Sequence, residues 1–443
     1  PGMWSVTCLF IVAACQPAAP PPAAGPLAGT SMTFSVSLAE EERSTIRTLL
    51  QRFEQDTGVR VTLVSVTSDD LPQKLRVEVG AGRPTIDLFA QDNLSLRALV
   101  DADLVEDLSG VSIPEAVLPP LRPPRFGGRQ YFLPFRPNVQ VTYVNRARLA
   151  QAGVAPPTTV EELRAVARRL KAAAGGIPKV TLSLAQGGAA AVTVAEWIVA
   201  FGGDPLRLDD EGSVRAFEFL QGLWRENLLA KESLLAKYDT QVDYLQGETA
   251  WLAANWPFTS MVFAEQDLLD RFQVYQGWRG PARAAHVVGG DVLGVPRGVT
   301  GRRRQAALAL AHFLMSREAQ AYLAERNAWP SIRGDAYSAV PDSLRDTFVA
   351  VERALADGWY RPSVPHWPDV SDAMNDAVRR ILERGEPPRP VLDALAGTIS
   401  EAARRRGLTS GYGHPRSPLA LVDIGRGGTP WSRDDATLTR IKD

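Results

Sequence analysis

The chain has 443 residues, with 49 basic and 50 acidic side chains and a formal net charge of −1 at pH 7. This length predicts two or three domains with a substantial core, and the balanced charge gives no reason to expect nucleic acid as a partner. The two cysteines, Cys8 and Cys15, precede the body of the chain, and the four histidines lack the paired spacing of a zinc site. We therefore predict no disulfide, thiol chemistry or cofactor in the body, while a metal site made of carboxylates alone stays open.

The amino terminus carries a short apolar run from Met3 to Ala14, which is too short to span a bilayer and has the length of a secretory h-region. The sequence Val12-Ala13-Ala14-Cys15 is similar to a bacterial lipobox, whose cysteine receives a diacylglycerol. We expect residues 1–31 to be a lipoprotein signal and a Pro/Ala-rich tether, with lipidation at Cys15. Since no Lys or Arg precedes the apolar run, an ordinary apolar tail is the alternative.

From Met32 the hydrophobic pattern alternates between strands and helices. The predicted elements are strands over 32–38, 59–66 and 85–92 and helices over 40–57, 71–80 and 94–102. This alternation is typical of a parallel sheet covered by helices, in which ligands bind beyond the carboxyl ends of the strands. The residues directly after each strand are therefore the first candidates for a binding site.

The stretch from Tyr131 to Asn145, YFLPFRPNVQVTYVN, predicts one long extended segment. Pro134 and Pro137 exclude a helix, and β-branched and aromatic residues dominate the rest. A helix over 146–152 and another that starts after Thr159 follow. We expect this segment to lead the chain from one block of alternation to the next.

The alternation restarts after the extended segment and continues to Arg406. The predicted elements are strands over 179–185, 250–255 and 287–295, helices over 158–173, 189–202, 213–226, 241–246, 302–326, 342–356, 370–384 and 389–406, and an extended stretch over 359–370. The tail over 408–443 is rich in Gly, Pro and Ser without a sustained period, and we expect it to be disordered.

Several motifs, taken in order, resemble those of family 1 extracellular solute-binding proteins, the maltose- and trehalose-type receptors of ABC importers. They are DLFAQDNLSLRALVDADLVEDL, the extended segment with the helices after it, AEWIVAFGGDPL, QGETAWLAANWPF, HVVGGDVLGVP, AALALAHFLMSREAQAYLAERNAWPSIRGDAY and RPSVPHWPDVSDAMNDAVRRIL. Each motif is modest alone, whereas their joint order and spacing are specific. The resemblance covers residues 32–406.

The resemblance implies an α/β, periplasmic-binding-protein-like fold with two α/β lobes, a ligand cleft and three interlobe crossings. By analogy lobe 1 holds 32–137 and 289–341, and lobe 2 holds 138–288 and 342–407. The implied protein is an extracytoplasmic, membrane-anchored receptor that binds a mono- or oligosaccharide, closes by hinge bending and serves the transmembrane permease subunits of an ABC importer. We expect a monomer that contacts the membrane only through its lipid.

A sugar presents C–H faces and hydroxyl groups, so its receptor needs aromatic rings and planar polar groups. Trp256 ends a predicted strand, and the resemblance places this N-W-P position against a sugar ring. Trp367 lies in a segment that prolines predict to be irregular, where the family has an aromatic near the ligand. Trp278 and Trp329 are explained equally well by packing.

The other candidates lie at or near predicted strands or at the lobe junction, and they are Glu41, Gln91, Asp92, Arg136, Asn138, Gln186, Gly290, Asp291 and Arg361. Asp92 and Glu41 are explained equally well as caps of the following helices. Arg361 matches an arginine that the family uses to hold hydroxyl groups. Asp291 departs from the family, which often has an aromatic or small residue there, and its carboxylate disfavours an anionic ligand.

Two other functions stay open on the sequence. The same fold could bind another polar solute, with Arg136 and Arg361 favouring a glycerol phosphodiester and Asp92 and Asp291 favouring a polyamine. A glycoside hydrolase would need only two well-placed carboxylates. The chain has no G-x-S-x-G, H-E-x-x-H, P-loop or G-x-G-x-x-G motif, so we do not expect an enzyme.

Overall fold

The computed structural model describes residues 25–38 and 40–406. The predicted lipidation site Cys15 and the predicted tail over 408–443 lie outside this range. The strands are β1 (Ser31–Val36), β2 (Arg60–Ser65), β3 (Leu88–Asp92), β4 (Leu133–Val139), β5 (Val141–Asn145), β6 (Val180–Thr181), β7 (Leu252–Asn255), β8 (Phe272–Tyr275), β9 (His286–Gly294) and β10 (Gly358–Tyr360). The helices are α1 (Glu40–Thr57), α2 (Leu71–Gly80), α3 (Leu96–Asp101), α4 (Arg146–Ala152), α5 (Val160–Ala173), α6 (Gly188–Ala200), α7 (Glu211–Arg225), α8 (Tyr238–Gln246), α9 (Phe258–Glu265), α10 (Gly301–Leu314), α11 (Arg317–Asn327), α12 (Arg345–Ala356), α13 (Trp367–Ala377) and α14 (Pro388–Arg405).

The first sheet is mixed, with the strand order β10-β9-β3-β1-β2, and β4 also pairs with β9. The strands β1, β2 and β3 run parallel, as the alternating pattern predicts. However, β9 runs antiparallel to both β3 and β4. The predicted all-parallel sheet is therefore wrong in this part, because β9 returns from the second sheet and enters from the opposite direction.

The second sheet has the order β6-β7-β5-β8, and β5 runs antiparallel to both of its neighbours. Its first strand is shorter than predicted, since only Val180 and Thr181 pair with β7. The helices α6, α7, α13 and α14 pack on one another beside this sheet.

The chain crosses between the two sheets at Gln140. The predicted extended segment is present, but it forms two strands that join different sheets: β4 pairs with β9, and β5 pairs with β7 and β8. Only Gln140 separates them. A second crossing leads from β8 back to β9, and a third leads from the helix pair α10 and α11 to α12, which packs on β8.

Separate apolar cores form around the two sheets. Phe34, Leu49 and Leu310 are fully buried members of the first, and Leu163, Ile198 and Leu392 belong to the second. Burial of each such side chain stabilises the folded state by about 2 kcal/mol. Each sheet thus has an apolar core of its own. In the described part of the chain, no helix has the length and apolar character that a membrane span requires.

Most predicted helices are present, and three differences have local causes. The run predicted over 302–326 is broken, because Ser316 caps α11 by accepting a hydrogen bond from the N–H of Ala319. The extended stretch predicted over 359–370 is wrong at its end, since Trp367 begins α13 with Pro368 in its first turn. The sequence analysis also missed two short elements, α9 and β8, which lack a full period of their own, whereas β10 coincides with the start of the predicted extended stretch.

Gly290 is required by the backbone of β9. Its φ is +99°, and a Cβ at this position would lie 2.1 Å from the carbonyl oxygen of Arg136 in β4. We expect Gly290→Ala to lower the free energy of unfolding by about 3 kcal/mol, through strain and through separation of the two strands. Urea unfolding followed by circular dichroism measures this change.

The matched control is Gly397→Ala on the exposed face of α14, where an added Cβ meets no atom within 4 Å. It is expected to raise the free energy of unfolding by about 0.5 kcal/mol, since alanine favours a helix interior. Equal stabilities for the two variants would contradict the assigned β4–β9 register.

Candidate functional site

Three charged side chains stand in a row across neighbouring strands of the first sheet. Asp291 of β9 pairs in register with Asp92 of β3 on one side and with Arg136 of β4 on the other. Residues directly opposite in antiparallel strands share a face, so the three side chains project together. Nε of Arg136 donates a hydrogen bond of 2.8 Å to Oδ2 of Asp291, and both side chains are almost entirely buried.

The Arg136 guanidinium also lies on the indole ring of Trp329, 4.4 Å from the ring centroid. Trp329 is fully buried, and its Nε1 donates a 2.6 Å hydrogen bond to Oε1 of Glu42 in the first turn of α1. Burial raises the pKa of Asp291 despite the opposing charge of Arg136, and the Asp92 charge raises it further. The Trp329 ring therefore packs against the Arg136 guanidinium and has no exposed face on which a ligand could stack.

A second ion pair joins Asp92 to Arg361, which follows β10. Nη2 of Arg361 lies 3.1 Å from Oδ2 and 3.3 Å from Oδ1 of Asp92. The guanidinium also lies 6.0 Å from the ring centroid of Trp367. Asp92 is not the N-cap of α3, a position that Ser95 takes, but its Oδ1 accepts a hydrogen bond from the N–H of Leu94. Its side chain thus serves both a local turn and the ion pair.

Trp256 reaches the same place from the second sheet. A Cβ added at Gly289 would lie 3.3 Å from Cη2 of Trp256 and 3.9 Å from Nη2 of Arg361, so both side chains close on this glycine. Tyr238 of α8 packs edge-on against Trp256, with ring centroids 5.4 Å apart, and its hydroxyl donates to the carbonyl of Gly188. Only 9% of Trp256 and 7% of Trp367 are exposed, so little of either ring is accessible in this conformation.

A cavity of about 340 Å³ opens beside these groups. This size lies within the range of small-molecule sites, which is about 300–1,000 Å³. Arg136, Asp291 and Arg361 supply charge to its wall, and Phe126, Phe135 and Tyr360 supply aromatic surface. Trp256 and Trp367 are not part of the wall, because they lie behind Gly289 and Arg361.

Two polar atoms in the cavity wall have no hydrogen-bond partner. They are Oδ1 of Asn93 and Nε of Arg361, and both are buried. The other end of the Asn93 amide is fixed, since Nδ2 donates to the carbonyl of Val288. Buried polar atoms are nearly always paired in folded proteins, with protein groups or with ordered water, so these two atoms mark a polar side of the cavity.

The structure gathers most of the predicted site residues. Those in or directly behind the cavity wall are Asp92, Arg136, Trp256, Gly290, Asp291, Trp329, Arg361 and Trp367. Asn138 lies in β4 opposite Gly289, and Gln186 is exposed on the loop that precedes α6. Their ligand contacts stay predictions.

Three predicted residues lie apart from this group or outside the description. Gln91 is fully buried and donates a hydrogen bond to the carbonyl of Ser68, so it holds the neighbouring loop. Trp278 packs against Trp197 in the second core and lines a different, smaller chamber. Glu41 belongs to the first turn of α1, and its side chain lies outside the described atoms.

The sequence analysis missed Phe126, Tyr238, Tyr360 and Ser363. Ser363 accepts a hydrogen bond from the N–H of Arg97 and donates one to the carbonyl of Leu94, which fastens the segment after β10 to α3. Tyr360 and Ser363 flank Arg361 and could have been found by extending that motif. Phe126 lies in a loop without a periodic signal. Within the described ranges, no group of three or more His, Cys, Asp or Glu side chains is placed to hold a metal ion.

Comparison with known proteins gives the family. Residues 48–341 match the family model for bacterial extracellular solute-binding proteins, and the chain belongs to this family. A relative from Deinococcus radiodurans, described as "Probable ABC transporter-binding protein", is 26% identical over 381 residues, which are 79% of this chain and 88% of the relative.

Solved structures give the same fold. The maltose-bound MalE3 of T. maritima has a TM-score of 0.73 and 22% identity, with 84% of this chain and 99% of that chain covered. The GacH receptor of Streptomyces glaucescens, solved without ligand and with acarbose, has a TM-score of 0.74 and 19% identity, with coverages of 87% and 99%. The predicted α/β, periplasmic-binding-protein-like fold is confirmed. By family and by fold, the chain is a bacterial solute-binding protein.

Loss of the Asp291 carboxylate tests the buried ion pair. Asp291→Asn keeps the shape but leaves the Arg136 guanidinium without its closest carboxylate, and we expect a loss of about 3 kcal/mol in the free energy of unfolding. The matched control is Asp103→Asn, which removes an exposed ion pair with Arg297 and should cost under about 0.5 kcal/mol. Urea unfolding of both variants gives the comparison, and similar losses would show that Arg136 is adequately paired without Asp291.

Proposed function

We propose that this protein is an extracytoplasmic receptor that binds a mono- or oligosaccharide in the cleft between its lobes and delivers it to the membrane subunits of an ABC importer. The observation that carries the proposal is the cavity beside Arg361, which combines aromatic surface with one unpaired donor and one unpaired acceptor. Sugar hydroxyl groups suit unpaired atoms of either kind, because a hydroxyl both donates and accepts. Aromatic rings such as Phe126 and Tyr360 suit the C–H faces of a sugar.

The ion pairs at the cavity disfavour a cationic ligand. Each carboxylate is already paired with a guanidinium, Asp92 with Arg361 and Asp291 with Arg136. A cationic ligand such as a polyamine would have to compete with these pairs, which disfavours it. The two structural relatives named above, with maltose and acarbose as their stated ligands, support a carbohydrate.

One observation favours a second candidate ligand, a glycerol phosphodiester. Arg122 lines the cavity, is exposed and donates only to backbone carbonyls among its hydrogen bonds in the described part of the chain. Its charge therefore has no carboxylate that balances it there. A ligand with a single negative charge would be attracted to this side of the cavity.

The two lobes would close over the ligand by rotation at the crossing segments. Asp92 and Arg361, together with the hydrogen bonds of Ser363 to Leu94 and Arg97, already join the segment after β10 to the first lobe. Trp256 and Trp367 are covered in this arrangement, so an open form would expose more of both rings. We further propose that the chain acts as a monomer and catalyses no reaction on its ligand.

Titration calorimetry against neutral mono- and disaccharides, maltooligosaccharides, glycerophosphodiesters and spermidine tests the ligand class. We expect a neutral saccharide to bind at micromolar concentration or below, and the purified protein to release no reducing sugar from it. Binding of a glycerophosphodiester alone would replace the carbohydrate assignment with the second candidate. Silence across the whole panel would overturn both.

Replacement of Trp256 tests its place behind the cavity. We expect Trp256→Leu to weaken saccharide binding about tenfold, equivalent to about 1.4 kcal/mol, because the ring supports Gly289 and Arg361 and offers stacking surface on opening. Trp224→Leu is the control, since Trp224 is partly buried on α7 away from the cavity. Equal weakening by the two variants, measured by calorimetry, would argue against a role for Trp256 in the site.

We also propose that Cys15 carries the lipid that anchors the receptor to the outer side of a membrane, with residues 1–31 as signal and tether. The lipobox-like sequence that ends at Cys15 supports this proposal. Cys15→Ala should move the protein from the membrane fraction to the soluble fraction and abolish labelling by an alkyne fatty acid in a bacterial host. A variant that stays membrane-bound and labelled would exclude this anchor.

A further inference from the structure

Glu196 connects α6 of the second lobe to the crossing strand β9. Its Oε1 accepts a 2.6 Å hydrogen bond from the N–H of Val287. The pairing between β4 and β9 ends at Val288, so Glu196 binds the strand one residue beyond the end of that ladder. The Glu196 carboxyl thus accepts the hydrogen bond of the Val287 N–H at a residue that β4 no longer reaches. This is the place where β9 passes between the lobes.

Val287 lies two residues before the point where the ligand site meets β9. At Gly289 both Trp256 and Arg361 approach the strand closely. The intervening Val288 accepts the hydrogen bond from Asn93, whose other amide atom is unpaired in the cavity wall. A shift of β9 at Val287 would therefore move the groups that form the back of the cavity.

Glu196 also lines a chamber of about 40 Å³ inside the second lobe. Gln140 and Ser183 border the same chamber, and Nε2 of Gln140 and Oγ of Ser183 are buried without a partner. The space is sufficient for one or two water molecules, which such atoms require. The carboxyl thus lies at a small polar pocket next to the first crossing residue, Gln140.

We propose that Glu196 is a positioning residue for the ligand site, which holds β9 at Val287 and thereby sets Trp256 and Arg361 for ligand binding. No direct contact between Glu196 and the ligand is involved. The proposal rests on the cleft being the ligand site, and it adds a group outside that cleft on which the affinity depends.

The charge state of Glu196 gives this role a pH dependence. Burial raises the pKa of Glu196 to about 8, although the N–H of Val287 and the Arg361 charge oppose the shift. The titratable groups that face it are Arg361, Tyr238 of α8 and His286 of β9. Burial lowers the pKa of His286 to about 4 and raises that of Tyr238, so both are neutral near pH 7.

If Glu196 ionised, its carboxylate would attract the Arg361 guanidinium and would compete with the Asp92 carboxylate for it. Closure over a ligand removes water from this region, which disfavours a buried charge further. By linkage, ligand binding should weaken as the pH rises through about 8. Glu196→Gln keeps a carbonyl oxygen for the N–H of Val287 and cannot ionise, whereas Glu196→Leu removes the acceptor.

The first experiment needs no ligand and compares thermal unfolding of the wild type and Glu196→Gln between pH 5 and 9. A folded-state pKa above the unfolded value gives stability that is complete at low pH and is lost as the pH rises towards 8. We expect the Tm of the wild type to fall by about 3 °C more than that of Glu196→Gln over this range. Other titrating groups are common to both proteins and cancel, so parallel curves would overturn the proton-linked part.

The second experiment follows tryptophan emission of the ligand-free protein over the same pH range. A change with a midpoint near 8 is expected in the wild type, and it should be absent from both Glu196→Gln and Trp256→Phe. A purely structural Glu196 would leave the emission of wild type and Glu196→Gln indistinguishable, which would overturn the coupling to Trp256. This result does not depend on the ligand assignment.

The third experiment measures affinity for whichever saccharide binds. The wild type should bind about tenfold more weakly at pH 9 than at pH 7, Glu196→Gln should bind equally at both, and Glu196→Leu should bind weakly at both. Coincident profiles for wild type and Glu196→Gln would overturn the proposal. If no saccharide binds while the first two experiments succeed, the proposed ligand class fails and the link between Glu196 and Trp256 stands.

Discussion

The arrangement of the site depends on the position of β9 among its neighbours. This one strand pairs with β3, β4 and β10, and the register brings Asp291 opposite both Asp92 and Arg136. Gly290 makes the register achievable, because any side chain there would collide with the backbone of β4. The position of β9 therefore determines the two ion pairs, the place where Trp256 packs and the shape of the cavity wall.

The buried charges in the site are individually costly and jointly balanced. Arg136 meets Asp291 and the face of Trp329, and Arg361 meets Asp92 near Trp367. Desolvation of each group is offset only while its partner is present. Each ion pair thereby fixes the position of its two side chains beside the cavity.

The same strand links the ligand site to the second lobe. Glu196 binds β9 just beyond the end of its ladder with β4, and Gln140 occupies the first crossing beside the same chamber. The proposed role of Glu196 depends on this connection.

The sequence by itself determined the helices with clear period and caps, the parallel strands β1 to β3, and the extended segment that crosses between the sheets. It also identified Arg136, Asp291 and Arg361 in the cavity wall and Asp92 and Trp256 beside it, because strand ends and the family motifs mark them. It did not give the antiparallel entry of β9, the helical position of Trp367, or Tyr238 and Phe126 as neighbours of the site. Those depend on pairing and packing between residues far apart in the chain, for which a local pattern carries no information.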